Sequence, residues 1–396
     1  SQPALYRHIG GMDDLHRALL LRARELLTND LYGAIEGLAG EEAVRALARI
    51  WRRDTMSRRG LLPLSSRVKT RGDAELEASV RGVVSAISLS LLGLDLDEED
   101  RVHAARTLRS ALHGSSVLEV NAVSKSENFE ESFNHIVTMI WIGLQAMSRD
   151  QDAGSAAVSR QRAQATQTGA AKAHRTKHLL GWAASVNGEG SGSASTRLTP
   201  GDVVDAAASL ADAEGIESVT LTRVAKELGV RQPALYRHVD GIEALLAALA
   251  LRAREMLSEA ITEAAIGRSR DDAIAAVADA WRKFVGVHPG LYSVVYRVVG
   301  GEDPDLEAAA DRIVRILALS LIGYSLSSES TIRVARSLRS TLHGFCLLEQ
   351  DGGHPPPYSI DESFDRLVSL LIAGVRGLAA AEVVAAGSKA RIRRKR

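Results

Sequence analysis

At 396 residues, 45% of them hydrophobic, the chain is long enough for two or three domains with sizeable cores. It carries 49 Lys and Arg against 49 Asp and Glu, so its zero net charge argues neither for nor against a nucleic-acid partner; only local clustering can. A single cysteine, Cys346, excludes an intrachain disulfide or a Cys-rich metal centre and fits a reducing cytoplasm, no run approaches the ~18 apolar residues of a membrane span, and no signal peptide opens the chain.

Apolar residues at helical spacing predict helices throughout the first 150 residues. Asp13 to Leu38 carries Leu15, Leu19, Ala23, Leu26 and Leu27 on one face. Glu41 to Thr55 carries Val44, Leu47, Ala48 and Trp51, and Asp73 to Leu94 carries Leu76, Val80, Val83, Val84, Ile87 and Leu91. Asp97 to Val120 follows with Val102, Ala105, Leu108, Leu112 and Leu118, then Glu130 to Met147 with Phe133, Ile136, Val137, Ile140, Trp141 and Leu144. No stretch alternates as a half-buried strand does, so the class is all-α.

Residues 150–196 turn to Ala, Gly, Ser, Gln and Thr and read as a flexible, mildly basic linker. A coil of that length spans roughly 35–40 Å on average. Beyond it, Thr199 is a good N-cap, with Pro200 at the first helical position and Asp202 in the first turn. Gly215 ends that helix. A short helix from about Leu221 to Leu228, a turn at Gly229, a second short helix holding Pro233 near its start, and a long helix from about Gly241 to Ala265 follow. The final SKARIRRKR, Ser388 to Arg396, reads as an unstructured basic tail or a nonspecific phosphate contact.

The two halves are one pattern written twice. Residue n pairs with residue n+230: SQPALYRHI at Ser1 with RQPALYRHV at Arg231, Leu21-Arg22-Ala23-Arg24-Glu25 with Leu251 to Glu255, Trp51-Arg52 with Trp281-Arg282, and Leu112-His113-Gly114 with Leu342-His343-Gly344. After one extra residue in the second copy, Glu131-Ser132-Phe133 meets Glu362-Ser363-Phe364. The period is a domain, not a solenoid repeat. Because Ser1 pairs with Arg231, the first copy as given lacks its opening two helices, through truncation or through loss in the duplication. The expected organisation is therefore 1–12 as the remnant of a first helix-turn-helix, 13–149 as its helical domain and 150–196 as linker. The second copy follows as a motif at 197–240 and a helical domain at 241–380, with 381–396 as tail.

Helix, short helix, glycine turn and short helix within 40 residues is the helix-turn-helix signature. Val224, Ala225, Leu228, Val230 and Leu235 hold the short helices together, and the last one turns its outer face to a major groove. Arg231 and Gln232 stand at its start, and Gln can read an adenine edge with two hydrogen bonds. Pro233 is small enough to meet a thymine methyl, whereas Tyr236 and His238 can donate to phosphates and set register. Thr220, Thr222 and Arg223 on the preceding helix are phosphate or base candidates. Ser1, Gln2, Pro3, Tyr6 and His8 repeat the motif in the first copy.

LTRVAKELGVRQPALYRHV resembles the DNA-binding segment of the TetR family of bacterial repressors. Trp281, HPGLY (His288 to Tyr292), LHG (Leu342 to Gly344) and ESF (Glu362 to Phe364) resemble the branch with a WHG-type C-terminal domain. The resemblance covers both copies. It implies two tandem units, each a helix-turn-helix joined to a helical ligand-binding and dimerisation domain, acting on double-stranded operator DNA. Family dimers form a four-helix bundle, which would correspond here to 73–94 and 131–147 pairing with 303–324 and 361–378. The copies are thus expected to pair within one chain as a covalent pseudo-dimer, because linkage raises effective concentration into the mM range. Two departures stand out. GGMDD (Gly10 to Asp14) and DGIEA (Asp240 to Ala244) put acidic groups where the family often has a basic one, and Ser1 replaces Arg231.

Trp281, His288, Tyr292, Tyr296, Tyr324, His343 and Phe345 are candidates for an apolar effector pocket with a few polar anchors, with ordinary core packing as the competing reading for each. The first copy has Arg58, Leu62, Ser66 and Leu94 where the second has His288, Tyr292, Tyr296 and Tyr324, so the two pockets differ. His113 and His343 read as structural histidines and Cys346 as inert packing. There is no Ser-His-Asp pattern, phosphate loop, HExxH or CxxC, and the histidines lie off metal-ligand spacing, so neither an enzyme nor a cofactor is expected. The expected function is a ligand-responsive transcriptional regulator, a repressor released by a small-molecule effector. The alternative is a ligand-sequestering or protein-interaction protein that has lost specific DNA binding.

Overall fold

The computed structural model describes residues 10–61, 68–121, 128–149, 198–296 and 303–394. Ser1, Gln2, Pro3, Tyr6 and His8, and the expected linker, lie outside the described residues. Among the described residues the chain is helical, with only an isolated bridge between Leu92 and Leu94. The first copy contributes α1 (Met12–Ile35), α2 (Gly40–Ser57), α3 (Ala74–Ser90), α4 (Glu98–Val120) and α5 (Phe129–Arg149). The second contributes α6 (Pro200–Glu214), α7 (Leu221–Glu227), α8 (Gln232–Leu235), α9 (Ile242–Ala265), α10 (Arg270–Val287), α11 (Pro289–Tyr292), α12 (Pro304–Ser320), α13 (Ser328–Gln350) and α14 (Ile360–Arg394).

The duplication is carried into the fold helix by helix. α1 and α9 have 24 residues each, α2 and α10 18, α3 and α12 17, and α4 and α13 23. Equivalent caps start equivalent helices. Asp73 accepts from the Glu75 and Leu76 amides, as Asp303 does from Asp305 and Leu306; each removes donors that a helix start leaves unpaired. Thr199 and Asp202 close the capping box anticipated for α6. Inside each copy a buried tryptophan, Trp51 or Trp281, anchors the core. Beside it the next arginine grips a glutamate of the central helix: Arg52 meets Glu119 at 2.6 and 2.9 Å, and Arg282 meets Glu349 at 2.5 and 2.9 Å.

The copies meet through α4 with α13 and α5 with α14. α3 and α12, expected in the bundle, instead pack within their own copies, against α1 and α4 and against α9 and α13. Glycine is the reason. A Cβ on Gly114 would overlap the Ser340 carbonyl oxygen and lie 2.7 Å from the Gly344 nitrogen, and one on Gly344 would overlap Ser110 O and lie 2.6 Å from the Gly114 nitrogen. The same reciprocity holds for Gly143, 3.2 Å from the Gly374 nitrogen, and for Gly374, 2.5 Å from Met139 O. Only helices with glycine at the crossing can bring their backbones this close. α4 is in consequence buried without a break from His103 to Ser116.

Two further expectations change. Residues 388–394 continue α14 as helix instead of forming a loose tail; Ala, Arg and Lys are good helix formers, and cations suit a helix C-terminus. By length and composition Ile360–Ser388 is also apolar enough to cross a membrane, with 44% of its most apolar stretch buried. Arg376 and Glu382 interrupt the run, so the sequence holds no unbroken apolar stretch there. Its apolar side packs on α5 and α4. At the other end of the first copy, Leu19 on α1 is 39% exposed, whereas its counterpart Leu249 on α9 is 0% exposed. α6 packs against α9.

Replacing Gly344 with Val should force α4 and α13 apart and cost at least about 3 kcal/mol, the upper range for overpacking, read as a lower urea midpoint. Gly33 lies inside α1 with nothing near its Cβ position, so Gly33→Ala should stabilise by about 0.5–1 kcal/mol. A loss in the first variant no larger than the change in the second would contradict the crossing.

Candidate nucleic-acid interface and regulatory core

α7 and α8 are held by a small apolar kernel. Val224, Ala225 and Leu235 are buried, and the turn between the helices is set by Gly229 at φ 66°, a left-handed position that favours glycine. The Val230 amide donates to Ala225 O at 2.9 Å and closes that turn. Thr220 caps α7 by accepting from the Arg223 amide at 3.2 Å, so it serves the helix first. The outward face is polar and interlocked. Thr222 Oγ1 donates to Gln232 Oε1 at 2.9 Å, and Gln232 Nε2 donates to the Tyr236 hydroxyl at 3.3 Å. This chain orients the amide and leaves Tyr236 53% exposed.

Arg231 and Pro233 are exposed beside it, and Arg223 is exposed but engaged by Glu214 at 2.5 Å. His238 stands apart from this face, half-buried in a groove of about 330 Å3 lined also by Pro200, Val203 and Arg237. Sequence reading passed over Lys226 and Arg237, both exposed. Their signal was position: Lys226 follows Thr222 by one helical turn, and Arg237 follows Tyr236.

α6 joins this unit to the rest. Its C-terminal turn lies on α11, where a Cβ on Gly290 would overlap Ala211 O. Asp212 on α6 grips the joint twice, with Oδ2 2.7 Å from His288 Nδ1 and Oδ1 accepting from the Leu291 amide at 2.8 Å. One residue further along α11, Tyr292 enters the core. Trp281 Nε1 donates to the Tyr292 hydroxyl at 2.9 Å, and that hydroxyl shares a 2.7 Å hydrogen bond with His343 Nδ1. Tyr296 meets His343 edge to face at 4.4 Å between ring centres. Burial raises the Tyr292 pKa well above the tyrosine value and lowers that of His343 well below the histidine value.

The seven expected ligand residues therefore divide. Trp281, Tyr292, Tyr296 and His343 form one buried cluster, with His288 at its edge beside Phe284. Phe345 belongs to another, stacked on His354 and tilted against Phe364 at 5.2 Å. Tyr324 lies elsewhere, its hydroxyl bonded to Asp271 and its ring beneath Arg270. Another groove, of about 430 Å3, lies between α2 and α5 and is lined by none of the seven. In the first copy Trp51 Nε1 has no hydrogen-bond partner among the described residues, and Leu62, the counterpart of Tyr292 in the sequence, lies outside them.

Family models agree with this architecture. "Tetracyclin repressor-like, C-terminal domain" matches twice, at residues 42–140 and 274–371, and "Bacterial regulatory proteins, tetR family" matches residues 203–249, the helix-turn-helix. The Uncharacterized HTH-type transcriptional regulator Rv0681 of Mycobacterium tuberculosis is 36% identical over 157 residues, 39% of this chain and 72% of that protein. The chain belongs to the TetR family. It is a tandem TetR-type transcriptional regulator, with the C-terminal domain present in both copies. The Uncharacterized HTH-type transcriptional regulator YobS of Bacillus subtilis is 38% identical over 152 residues, 38% of this chain and 78% of that protein. Among solved structures, apo ActR from Streptomyces coelicolor aligns at 19% identity over 48% of this chain and 100% of that one, with a TM-score of 0.37.

The core of this TetR-type chain titrates in a defined direction. Burial lowers His113 to about 3 and takes His343 and His354 well below the ordinary value. Each binds a proton near pH 6.5 only after unfolding. Their stabilisation is whole above pH 6.5 and falls as pH drops, by about 1.4 kcal/mol per pH unit per histidine. His354→Phe should remove one histidine's share, measured as a shallower loss of urea stability between pH 7.5 and 5; equal slopes would reject it. Tyr292→Phe strands two buried nitrogens and should cost about 1–3 kcal/mol at pH 7.5.

Proposed function

We propose that this chain is a ligand-responsive repressor that binds a palindromic operator as an intramolecular pseudo-dimer in the cytoplasm. The observation that carries the DNA-binding half is the prealigned set of exposed Thr222, half-buried Gln232 and exposed Tyr236 beside Arg231 and Pro233. A bidentate Gln suits an adenine edge, and Lys226 and Arg237 suit phosphates. What supports the pairing half is the reciprocal glycine contact between copies, which a two-fold arrangement requires.

Effector response follows from the α6–α11 joint. Trp281, Tyr292, Tyr296 and His343 already fill one another's space, so a small molecule entering there displaces Tyr292. α11 then moves, and Asp212 and Gly290 carry the shift to α6 and the recognition helix. The effector thereby favours one helix-turn-helix placement over another by differential affinity.

Light scattering of the protein, alone and on a duplex from its own upstream region, tests the reading. One chain per operator is the expected result; two chains would mean pairing between chains, and no binding at low salt would favour a sequestering protein. Gln232→Ala with Tyr236→Ala should abolish specific binding and leave helicity unchanged. Lys226→Ala should weaken binding on all sequences alike and reduce the salt slope by about 1.

A further inference from the structure

Where the N-terminal end of α4 meets that of α14, three potential ligands converge from opposite copies: Glu99 and His103 of the first and Glu362 of the second. One ligand atom from each lies within 4.8 Å of the others. Glu99 and His103 are four residues apart on α4 and so share a face. His103 is 1% exposed, and its Nε2 has no hydrogen-bond partner. That nitrogen points at Glu99, with Oε1 at 3.5 Å.

The hydrogen bonds behind the ring fix its tautomer. Ser363 Oγ donates its one proton to Ser359 O at 2.8 Å. It accepts from Arg106 Nη1 at 2.7 Å, because a guanidinium can only donate. The remaining contact, His103 Nδ1 at 2.9 Å, must therefore be a donor as well. Nδ1 carries the proton, and Nε2 presents a lone pair to the two carboxylates. Tyr358 holds the ring edge to face at 5.5 Å. A lone pair aimed at two anions is a poor arrangement by itself. A buried imidazole oriented by a hydrogen bond from its other nitrogen is the usual support for a metal ligand.

The second half of the molecule supplies the comparison. At the position related by the internal repeat stand Glu329, Arg333 and Glu131. There Arg333 bridges both carboxylates, across the copies to Glu131 and along its helix to Glu329. A cation on the side chain closes one end of the interface; at the other end a neutral histidine faces the same two glutamates. The nearest cations there are occupied: Arg366 binds Asp100 at 3.1 Å, and Arg106 binds Ser363 and the Pro355 and Tyr358 carbonyls.

We propose that Glu99, His103 and Glu362 bind a divalent cation of the zinc class, which does at this end of the interface what Arg333 does at the other. One imidazole nitrogen and two carboxylate oxygens form a donor set suited to zinc, with the fourth position left to water. Bonds of about 2.0–2.2 Å place tetrahedral ligands about 3.4 Å apart. His103 and Glu99 already have that spacing, and the exposed Glu362 closes the rest by rotation. The sequence alone hides the site because its ligands come from both copies.

Equilibrium dialysis of the full chain against Zn2+, with metal analysis and with Co2+ absorption as the geometric probe, tests the site. One tightly held ion per chain and a tetrahedral cobalt spectrum are expected. His103→Arg rebuilds the arrangement of the other end, so it should keep the fold and thermal midpoint of the metal-free protein while weakening zinc at least tenfold. Glu362→Gln should weaken it similarly. Arg333→His should raise the stoichiometry toward two. The chain has 11 histidines, so adventitious zinc is the rival outcome. Zinc bound equally by wild type and H103R, or no zinc retained by the wild type, overturns the proposal.

Discussion

The architecture depends on two glycine crossings. Gly114 meets Gly344, and Gly143 meets Gly374, closely enough that a single methyl group at any of these positions collides with backbone of the opposite copy. Close backbone approach lets the flanking side chains interdigitate, which is why α4 and α13 bury polar and charged residues along with apolar ones. It also forces reciprocity. Whatever one copy places near the crossing, the other meets with its own version.

Reciprocity makes the differences between the copies informative. The α13–α14 connection of the second copy lies across the first: Arg109 donates to Gly353 O, Arg106 to Pro355 O at 2.5 Å, and the Thr70 amide to Asp351 O at 3.2 Å. Buried guanidinium groups are here satisfied by backbone carbonyls, not by carboxylates, which lowers the pKa of Arg109 through desolvation to about 9. The buried aromatic cores differ likewise. The second copy links Trp281, Tyr292 and His343 by hydrogen bonds, whereas the first keeps the tryptophan and histidine and replaces the tyrosine. The two halves share one backbone plan and have diverged in the chemistry that plan encloses.

Much of this was legible in the residues. Helix bounds followed from apolar spacing and caps to within a few positions, because amphipathic periodicity and N-cap chemistry are local. That Gln232 and Tyr236 share the outward face was legible because the glycine turn fixes which face is outward. The half-buried place of His238 was not legible, because its groove is made with α6. The bundle was misassigned at α3 and α12 for a related reason. Their apolar faces look as suitable as those of α4 and α13, and nothing in periodicity says whether a face is covered from within a copy or from across. The glycines of the repeated LHG were the available signal, since only they permit contact at backbone distance.

By itself, then, the sequence determined the duplication, the all-helical class, the helix-turn-helix and the family, because each rests on spacing along one chain. The tertiary structure alone decided which helices join the copies and that Asp212 ties the DNA-binding unit to the aromatic core. It also decided that Phe345 and Tyr324 stand apart from Tyr292, and that Glu362 faces His103. Those facts depend on residues far apart in the chain being brought within hydrogen-bond or van der Waals distance, and only the crossing of the packed helices sets which ones meet.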